Sequence, residues 1–491
     1  LCLTQTPPPP PVPTTASRAE DYLSLVKAYQ AGRQGDAGAW TQVLSRAATL
    51  RRDQLLSKDP TVYFFEAEAY RYTGQARDAI NSYREALDLN AGLAPAQLGK
   101  ALAELQINNP NAALKSLDAA LAADPAYVAG WLARAEFYEG RGDLPRALED
   151  YRQAETLAPD EPVVLARLAL AYVDAGQIEG SGLHAEAREL AGQALALDPG
   201  QALAYLARGR LNLLQGLAAA AEADLALASP YVLDPASFRR LFPVAAALNL
   251  ADAYAARLLY DLGAVQVGLE QPEAARRLFD QAIELRPDNL PLAYLARGRL
   301  RLAEGQAEAA QADFTQAVTQ LRRASPESPQ LADALTARGQ AYLSLTPPNP
   351  ERARADFQEA LKLTPGAFAA TLGLGRAQLL LNQAETAIAS LTLALGLQPE
   401  AASQAQVYFY RAQAFRAAGQ TANEVADLTL LAALVDAGPL APTAAARLTE
   451  IGPTLTPTSA ATATRPPATA TRTPTRTATP TPTGTGELSR P

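Results

Sequence analysis

The chain holds one histidine and one cysteine, the two side chains that most often supply a general base, a nucleophile or a soft metal ligand. A Ser–His–acid or Cys–His site needs a His that the fold holds beside its nucleophile, and a structural zinc site needs several Cys or His ligands. His184 lies in the segment GSGLHAEAR, where a solvated position is expected, and Cys2 lies beside the N-terminus. The single Cys also excludes an internal disulfide. These counts predict no metal site and no catalytic residue.

Sequence motifs for phosphate, nucleotide and zinc-protease chemistry are missing as well. GxxxxGK[ST], GxGxxG and HExxH do not occur, and the adjacent carboxylates Glu149 and Asp150 fall on a helix where solvent or an Arg partner accounts for them. A net charge of −8 argues against nucleic acid as a partner, because phosphate recognition requires clustered Lys and Arg. The sequence therefore predicts a protein that is not an enzyme and that carries no cofactor.

Charged residues do recur at one fixed spacing. Five Arg residues are each followed by an Asp sixteen positions later, or eighteen in one case. Where another residue takes the place of the Arg, the partner position carries Ser or Leu and never Asp. Removing one partner of a buried ion pair costs about 3–5 kcal/mol, which explains why the two residue types occur together. We interpret the pairs as structural links between two helices rather than as ligand-binding groups. They are Arg134 and Asp150, Arg208 and Asp224, Arg297 and Asp313, Arg338 and Asp356, and Arg411 and Asp427.

The elements that must position these pairs are repeated helices. Hydrophobic residues make up 48% of the chain and aromatic residues only 6%, a composition that suits closely packed Ala- and Leu-rich helices. The nonamer LAYLARGRL occurs at residues 203–211 and again at 292–300. Spacings of four, three and four residues place small and aromatic residues on one helical face, and this pattern recurs at multiples of 34 residues. It is seen at Trp131, Ala135, Tyr138 and Gly142, and at Tyr63, Ala67, Tyr70 and Gly74.

A 34-residue unit with this order of aromatic residues, small residues and Gly, and with a closing Pro, resembles the tetratricopeptide repeat. The resemblance covers about ten units from Asp59 to Val435 and implies an all-α fold, a right-handed superhelix of helix hairpins. We expect five regions. They are a Pro-rich linker at 1–16, an N-terminal helical cap at 17–58, the repeat array at 59–435, a C-terminal cap helix at 436–452, and a disordered Thr/Pro-rich tail at 453–491.

Two longer insertions interrupt the repeats, in addition to a two-residue insertion at TPPNP in the eighth unit. About six extra residues, QIEGSGLH, separate the helices of the fourth unit, and roughly twenty, around SPYVLDPASFRRLFPVAA, precede the sixth. The second unit lacks the turn Gly and has Asn108 in its place.

In the repeat family the first helices line a concave groove that is the usual peptide-binding surface. One class of groove positions carries Glu in the N-terminal half and Arg in later units, which suits an extended acidic segment, although Arg is also the commonest long polar residue of this chain. The resemblance assigns to the groove Phe64, Glu68, Arg71, Tyr72, Leu132, Glu136, Leu206, Arg210, Tyr260, Leu295, Arg299, Leu302, Leu372, Arg376, Leu379, Phe409, Gln413 and Arg416.

The resemblance implies a non-catalytic protein–protein interaction scaffold that binds a peptide or a partner protein. The alternative is a cell-envelope structural or glycan-associated spacer. Glycan sites favour exposed Trp and Tyr, whereas Trp131 belongs to the predicted core and Trp40 to the cap, which favours the scaffold. No apolar run is long enough for a transmembrane segment. The Pro-rich ends favour an extracytoplasmic bacterial location over a cytoplasmic one, and Cys2 is a candidate for a lipid anchor.

Overall fold

The computed structural model describes residues 16–179, 182–434 and 438–452, and these residues form an all-α structure. Within them lie 25 α-helices, one short 3-10 helix and no strand, which confirms the predicted fold class. The chain divides into two compact units, residues 1–326 and 327–491. No helix in the described ranges is long and apolar enough to cross a membrane. Residues 1–15 of the predicted linker, with Cys2, and the predicted tail at 453–491 lie outside the described residues.

The first unit is a series of helix hairpins in which consecutive helices pack antiparallel. Seven hairpins fit the predicted repeats, and a further hairpin precedes them. The helices are α1 Ala16–Arg33, α2 Ala37–Leu50, α3 Pro60–Tyr72, α4 Ala76–Leu89, α5 Ala94–Gln106, α6 Pro110–Ala123, α7 Val128–Gly140, α8 Leu144–Leu157, α9 Pro162–Glu179, α10 Gly182–Leu197, α11 Ala202–Leu214, α12 Ala218–Leu233, α13 Pro235–Leu241, α14 Pro243–Ala247, α15 Ala251–Gly268, α16 Pro272–Leu285, α17 Pro291–Ala303 and α18 Ala307–Ala324, with a 3-10 turn at Leu56–Lys58.

The second unit contains three more hairpins and a final helix. Together with the seven hairpins of the first unit they make ten within the described residues, the number that the sequence predicts. The helices are α19 Pro329–Ser344, α20 Pro350–Leu363, α21 Phe368–Leu380, α22 Ala384–Gly396, α23 Ala401–Ala417, α24 Thr421–Ala433 and α25 Leu440–Ile451.

Most of the described hairpin turns contain one residue in the left-handed region. Gly142, with φ of 77°, supplies it between α7 and α8, where a side chain would add strain. Asn108 takes the same conformation with φ of 58°, which accounts for the missing Gly in the second unit. Glu270 does so with φ of 58° although it is neither Gly nor Asn. Side chains other than Gly and Asn tolerate this conformation poorly, so Glu270 is a point of backbone strain.

The small residue of the first helix allows the aromatic ring of the second helix to pack closely against the first helix. A Cβ atom placed on Gly298 would lie 2.6 Å from Cε1 of Phe314, a fully buried ring. Gly263 meets Phe279 and Gly339 meets Phe357 in the same way. Such contact leaves no room for even a methyl group, so close packing of the two helices requires Gly here.

The described residues of the insertion in the fourth unit belong to the two helices of its hairpin. The insertion lengthens α9 to Glu179 and lets α10 begin at Gly182, so His184 lies in a helix rather than in a solvated loop. Its imidazole packs against Gly176, where a Cβ would lie 2.3 Å from Cδ2, and its Nε2 is buried without a hydrogen-bond partner. The expected solvated position is therefore wrong.

The longer insertion folds back onto the first unit. It extends α12 and then forms α13 and α14, and α14 packs on α5 and α7, the first helices of two earlier hairpins. Phe238, Phe242, Val244 and Ala245 of the insertion are almost fully buried. Meanwhile α12 and α11 contact α15 directly, so the neighbouring hairpins stack on each other across the insertion.

Candidate functional site

The five Arg and Asp pairs have one geometry. In each, the Arg Nε and Nη2 donate to the two carboxylate oxygens of the Asp at distances between 2.6 and 3.0 Å. Each Asp lies on the second helix of its hairpin and is buried, while the Arg on the first helix stays partly exposed. This bidentate arrangement is the strongest that the two side chains can form, and it joins the two helices. These ten residues thus have partners within the fold.

The groove face of α7 and α9 is covered by the long insertion. Glu136 on α7 and Arg167 on α9 form an ion pair of 3.3 Å with both side chains almost completely buried. Glu136 Oε1 also accepts a hydrogen bond of 2.8 Å from the backbone N–H of Ala245, and Arg167 Nη2 donates to the backbone carbonyl of Leu241. Two predicted groove residues, Leu132 and Glu136, are thereby buried under the protein's own chain. This part of the groove is closed, contrary to the sequence prediction.

Burial has a marked effect on Glu136. It raises the pKa of this carboxyl to about 7, although Arg167 and the N–H of Ala245 both act in the opposite direction. Burial also raises the pKa of the neighbouring Glu139, which accepts a hydrogen bond of 2.7 Å from the hydroxyl of Tyr151. Glu136, which the insertion covers, and the neighbouring Glu139 are therefore both groups whose ionised form is unfavourable in the folded protein.

Arg210, one of the Arg residues predicted to line the groove, is instead buried in an ion-pair network. Its Nε donates to Oδ2 of Asp261 at 2.8 Å, and only 7% of the Arg210 side chain and 2% of the Asp261 side chain are exposed. Asp174 lies 3.7 Å from the same guanidinium. Asp261 also pairs with Arg257 at 3.1 Å. This buried network neutralises the positive charge of Arg210, so the guanidinium is not available to a ligand.

A cavity of about 1900 Å³ lies beside the insertion in the first unit. The hairpin of α1 and α2 lines one side, the first helices α3 and α5 line the floor, and α13 and α14 line the other side. Four predicted groove residues come together there, namely Phe64, Glu68, Arg71 and Tyr72. The first helices thus do line an open site, which lies mainly on the first two repeats and also reaches Ala133 of the third.

Positive charge predominates on the cavity wall. Five Arg and two carboxylates line it, in a chain whose net charge is −8. Arg77 at the start of α4 and Arg239 and Arg240 on α13 are exposed. The charged lining residues are Arg33, Glu68, Arg71, Arg77, Asp78, Arg239 and Arg240.

Glu68 contributes little free negative charge to this wall. Its carboxylate accepts hydrogen bonds of 2.8 and 3.1 Å from Arg71 and one from the hydroxyl of Tyr83, and Arg33 lies 3.8 Å away. Burial would raise the pKa of Glu68, but the positive charges of Arg71 and Arg33 and these hydrogen bonds hold it below its usual range. Glu68 therefore stays ionised and neutralised within the wall.

The aromatic residues of the cavity are packed against each other. Trp40 stacks on Tyr72 with ring centres 4.5 Å apart and planes 6° apart, and Gly32 covers the indole so closely that a Cβ would lie 2.7 Å from it. Arg71 lies over the ring of Tyr72 at 4.2 Å. Trp131, predicted as a core residue, is only half-buried, and its Nε1 donates to the carbonyl of Pro125 at 2.9 Å.

The other predicted groove residues do not line this cavity. Arg376 on α21 lies over the ring of Tyr410 at 4.8 Å, whereas Arg299, Gln413 and Arg416 are exposed. The remaining positions lie on first helices of the first unit (Leu206, Tyr260, Leu295, Arg299, Leu302) and of the second unit (Leu372, Arg376, Leu379, Phe409, Gln413, Arg416).

Sequence reasoning missed the cavity residues that lie outside the repeats. Arg239 and Arg240 belong to the long insertion, and Arg33 and Trp40 belong to the predicted cap. The sequence SFRRLF does signal an amphipathic segment with two adjacent cations, but Arg167, which binds its Leu241 carbonyl, lies 74 residues away along the chain.

Comparison with known proteins supports the repeat assignment. Models of the tetratricopeptide repeat match residues 98–162 and 349–402, and a second model of the same repeat matches residues 60–92 and 256–289. Among the curated proteins none matches the sequence. In the described residues, no group of three or more His, Cys, Asp and Glu is arranged to hold a metal ion.

Solved structures that match this chain share little of its sequence. The pilF protein of Pseudomonas aeruginosa is 19% identical, covering 50% of this chain and 96% of its own, with a TM-score of 0.36. A tetratricopeptide repeat protein of Parabacteroides merdae is 16% identical, covering 56% and 98%, with a TM-score of 0.39. In the Cut9–Hcn1 hetero-tetramer of the APC/C, a chain is 15% identical, covering 90% and 95%, with a TM-score of 0.40. With ten helix hairpins in the described residues and matching repeat models in both units, the chain contains tetratricopeptide repeats.

Proposed function

We propose that the protein is an interaction scaffold whose first unit binds an extended acidic segment of a partner protein in the cavity between α1–α2, α3, α5 and α13–α14. The observation that carries this proposal is the excess of Arg on the cavity wall, set in a chain of net negative charge. Complementary charge speeds encounter and selects partners, and Arg binds carboxylates through two parallel hydrogen bonds.

The size of the cavity supports a peptide rather than a small molecule. Small-molecule pockets occupy about 300–1,000 Å³, whereas this cavity measures about 1900 Å³. Apolar side chains such as Phe64, Leu98 and Leu102 form part of its lining beside the cations. A segment that combines carboxylates with one or two apolar side chains fits this mixture.

The packing of Trp40 argues against the glycan-associated alternative. Sugar rings stack on free aromatic faces, but Tyr72 covers one face of the indole and Gly32 lies against it as well. The cavity thus offers charge and apolar pockets rather than an open aromatic platform.

Binding of a defined peptide pair tests the proposal. The probes are a fluorescein-labelled decapeptide of Glu, Leu and Phe and its counterpart with Lys in place of Glu, titrated against the full chain by fluorescence anisotropy. We expect saturable binding of the acidic peptide alone. Arg239→Glu with Arg240→Glu should weaken binding about tenfold or more, because two attractive charges become repulsive.

The matched control is Arg52→Glu with Arg84→Glu, which makes the same charge change at exposed residues that do not line the cavity. If both double variants weaken peptide binding equally, the effect comes from net charge alone and the proposed site is wrong. Binding of a neutral chitooligosaccharide in place of either peptide would favour the glycan-associated alternative.

A further inference from the structure

The closed part of the groove binds a peptide segment in the manner of a ligand, and that segment comes from the same chain. Residues 241–248, LFPVAAAL, include α14, which packs on the first helices α5 and α7, and Leu241, whose carbonyl is bound by Arg167 of α9. Their backbone is bound at two points, the carbonyl of Leu241 by Arg167 and the N–H of Ala245 by Glu136. Backbone contacts of this kind hold a segment in register whatever its side chains are.

The side chains of the segment fill separate pockets. Phe242 lies 4.6 Å from the ring of Tyr254 and 5.3 Å from the guanidinium of Arg167. Val244 is fully buried in a cluster with Leu98 and Phe137 on the first helices. Two apolar anchors around a Pro, with a polar contact to the backbone on each side of them, make a short recognition motif.

The hairpins on either side of the insertion stack directly on each other and do not need this segment between them. Helix α12 contacts α15 directly, and ion pairing between Arg210 and Asp261 and a hydrogen bond of 2.9 Å from Gln266 to Glu222 join the hairpins on either side of the insertion. Tetratricopeptide hairpins need only their neighbours to bury their apolar faces. The segment is therefore an addition to the stack and not one of its layers.

We propose that the first-helix face of α5, α7 and α9 is a second peptide-binding site, specific for an aromatic–Pro–Val segment, and that residues 241–248 occupy it as an internal ligand. The site adjoins the open cavity but takes a different ligand, apolar where the cavity takes an acidic one. A segment attached to the same chain has an effective concentration in the millimolar range, so an external peptide competes poorly until the internal one is weakened.

Replacement of the segment tests this inference. In the full chain, residues 235–249 are exchanged for a Gly/Ser sequence of equal length, and a fluorescein-labelled peptide with the sequence of residues 234–250 is added. We expect the replaced variant to bind the peptide at least about tenfold more tightly than the unaltered protein does, since the internal competitor is gone. A peptide with Val244→Asp should bind the replaced variant at least about tenfold more weakly, because a carboxylate would enter an apolar pocket.

A second variant keeps the insertion and only loosens it. Phe242→Ala with Val244→Ala should also make the site available to the labelled peptide, with helical circular dichroism unchanged. A folded replaced variant that ignores the peptide, or binds the Val244→Asp peptide equally well, would overturn the proposal. If the replaced variant unfolds, recovery of its helical signal on adding the peptide supports the proposal, and no recovery shows the segment to be an integral layer. Arg239→Glu with Arg240→Glu separates the two sites, because it should weaken the acidic decapeptide only.

Discussion

Arg134 binds two aspartates of different burial. Its Nε and Nη2 donate to Asp150 at 2.8 and 2.9 Å within one hairpin, while its Nη1 donates to Asp118 of the preceding hairpin at 2.8 Å. The Asp150 side chain is 6% exposed and the Asp118 side chain is 52% exposed. One guanidinium therefore allows a buried and a surface ion pair to be compared directly.

Arg134→Leu should lower the free energy of unfolding by about 3 kcal/mol, because it leaves the buried carboxylate of Asp150 without its partner. Arg134→Leu combined with Asp150→Leu should restore stability to within about 1 kcal/mol of the original, since an apolar pair of similar volume can replace a buried ion pair. Leu168 and Leu190 occupy the equivalent places of another hairpin and are both buried.

Asp118→Asn is the matched control and should cost less than about 1 kcal/mol, as is usual for exposed pairs. Urea unfolding followed by tryptophan fluorescence measures all of these variants, because both tryptophans, Trp40 and Trp131, belong to the first unit. Equal costs for Asp118→Asn and Arg134→Leu would contradict the structural role of the buried pair.

Gly298→Ala should destabilise the first unit by about 1–3 kcal/mol, because the added methyl group would overlap the ring of Phe314. Gly192 is exposed in the middle of α10 with nothing within 4 Å of its Cβ position. Gly192→Ala should therefore stabilise by about 0.5–1 kcal/mol through helix propensity alone. The same fluorescence assay checks both signs, and a stabilising Gly298→Ala would refute the close approach.

Glu270→Gly should raise the free energy of unfolding by roughly 0.5–1 kcal/mol. The side chain at this turn is held with a positive φ of 58°, which costs about 1–2 kcal/mol for a residue other than Gly, partly offset by the greater freedom of Gly in the unfolded chain. Glu270→Ala keeps the strain and serves as the control, so it should show no such gain.

Stability of the first unit should depend on pH through Glu136. Its folded pKa of about 7 lies above the ordinary value, so the folded state binds more protons than the unfolded state between the two pKa values. Stability should therefore increase as pH falls from about 8 to about 5, by at most about 1.4 kcal/mol per pH unit for this group. Glu136→Gln should flatten this part of the profile but not abolish it, because burial also raises the pKa of Glu139. A slope unchanged by Glu136→Gln would show that other groups cause it.

Sequence periodicity predicts local structure well here because each hairpin is determined by nearby residues. Arg134 and Asp150 are sixteen residues apart, and that spacing alone indicates two antiparallel helices. Groove residues are harder to predict, since their surroundings depend on distant parts of the chain. The charge of Arg210 is neutralised by Asp261, 51 residues away, and Glu136 is covered by Ala245, 109 residues away. No repeat pattern encodes either contact.

The long insertion also affects the order in which parts of the first unit should unfold. Stacked repeats ordinarily lose structure from one end inwards, because each layer interacts only with the next. Here the long insertion, which follows α12, contacts α5, α7 and α9. It therefore links hairpins that are separated by several repeats in the sequence. Those hairpins should unfold together as one cooperative block. The hairpin of α17 and α18, which follows the long insertion in the sequence, should unfold before them.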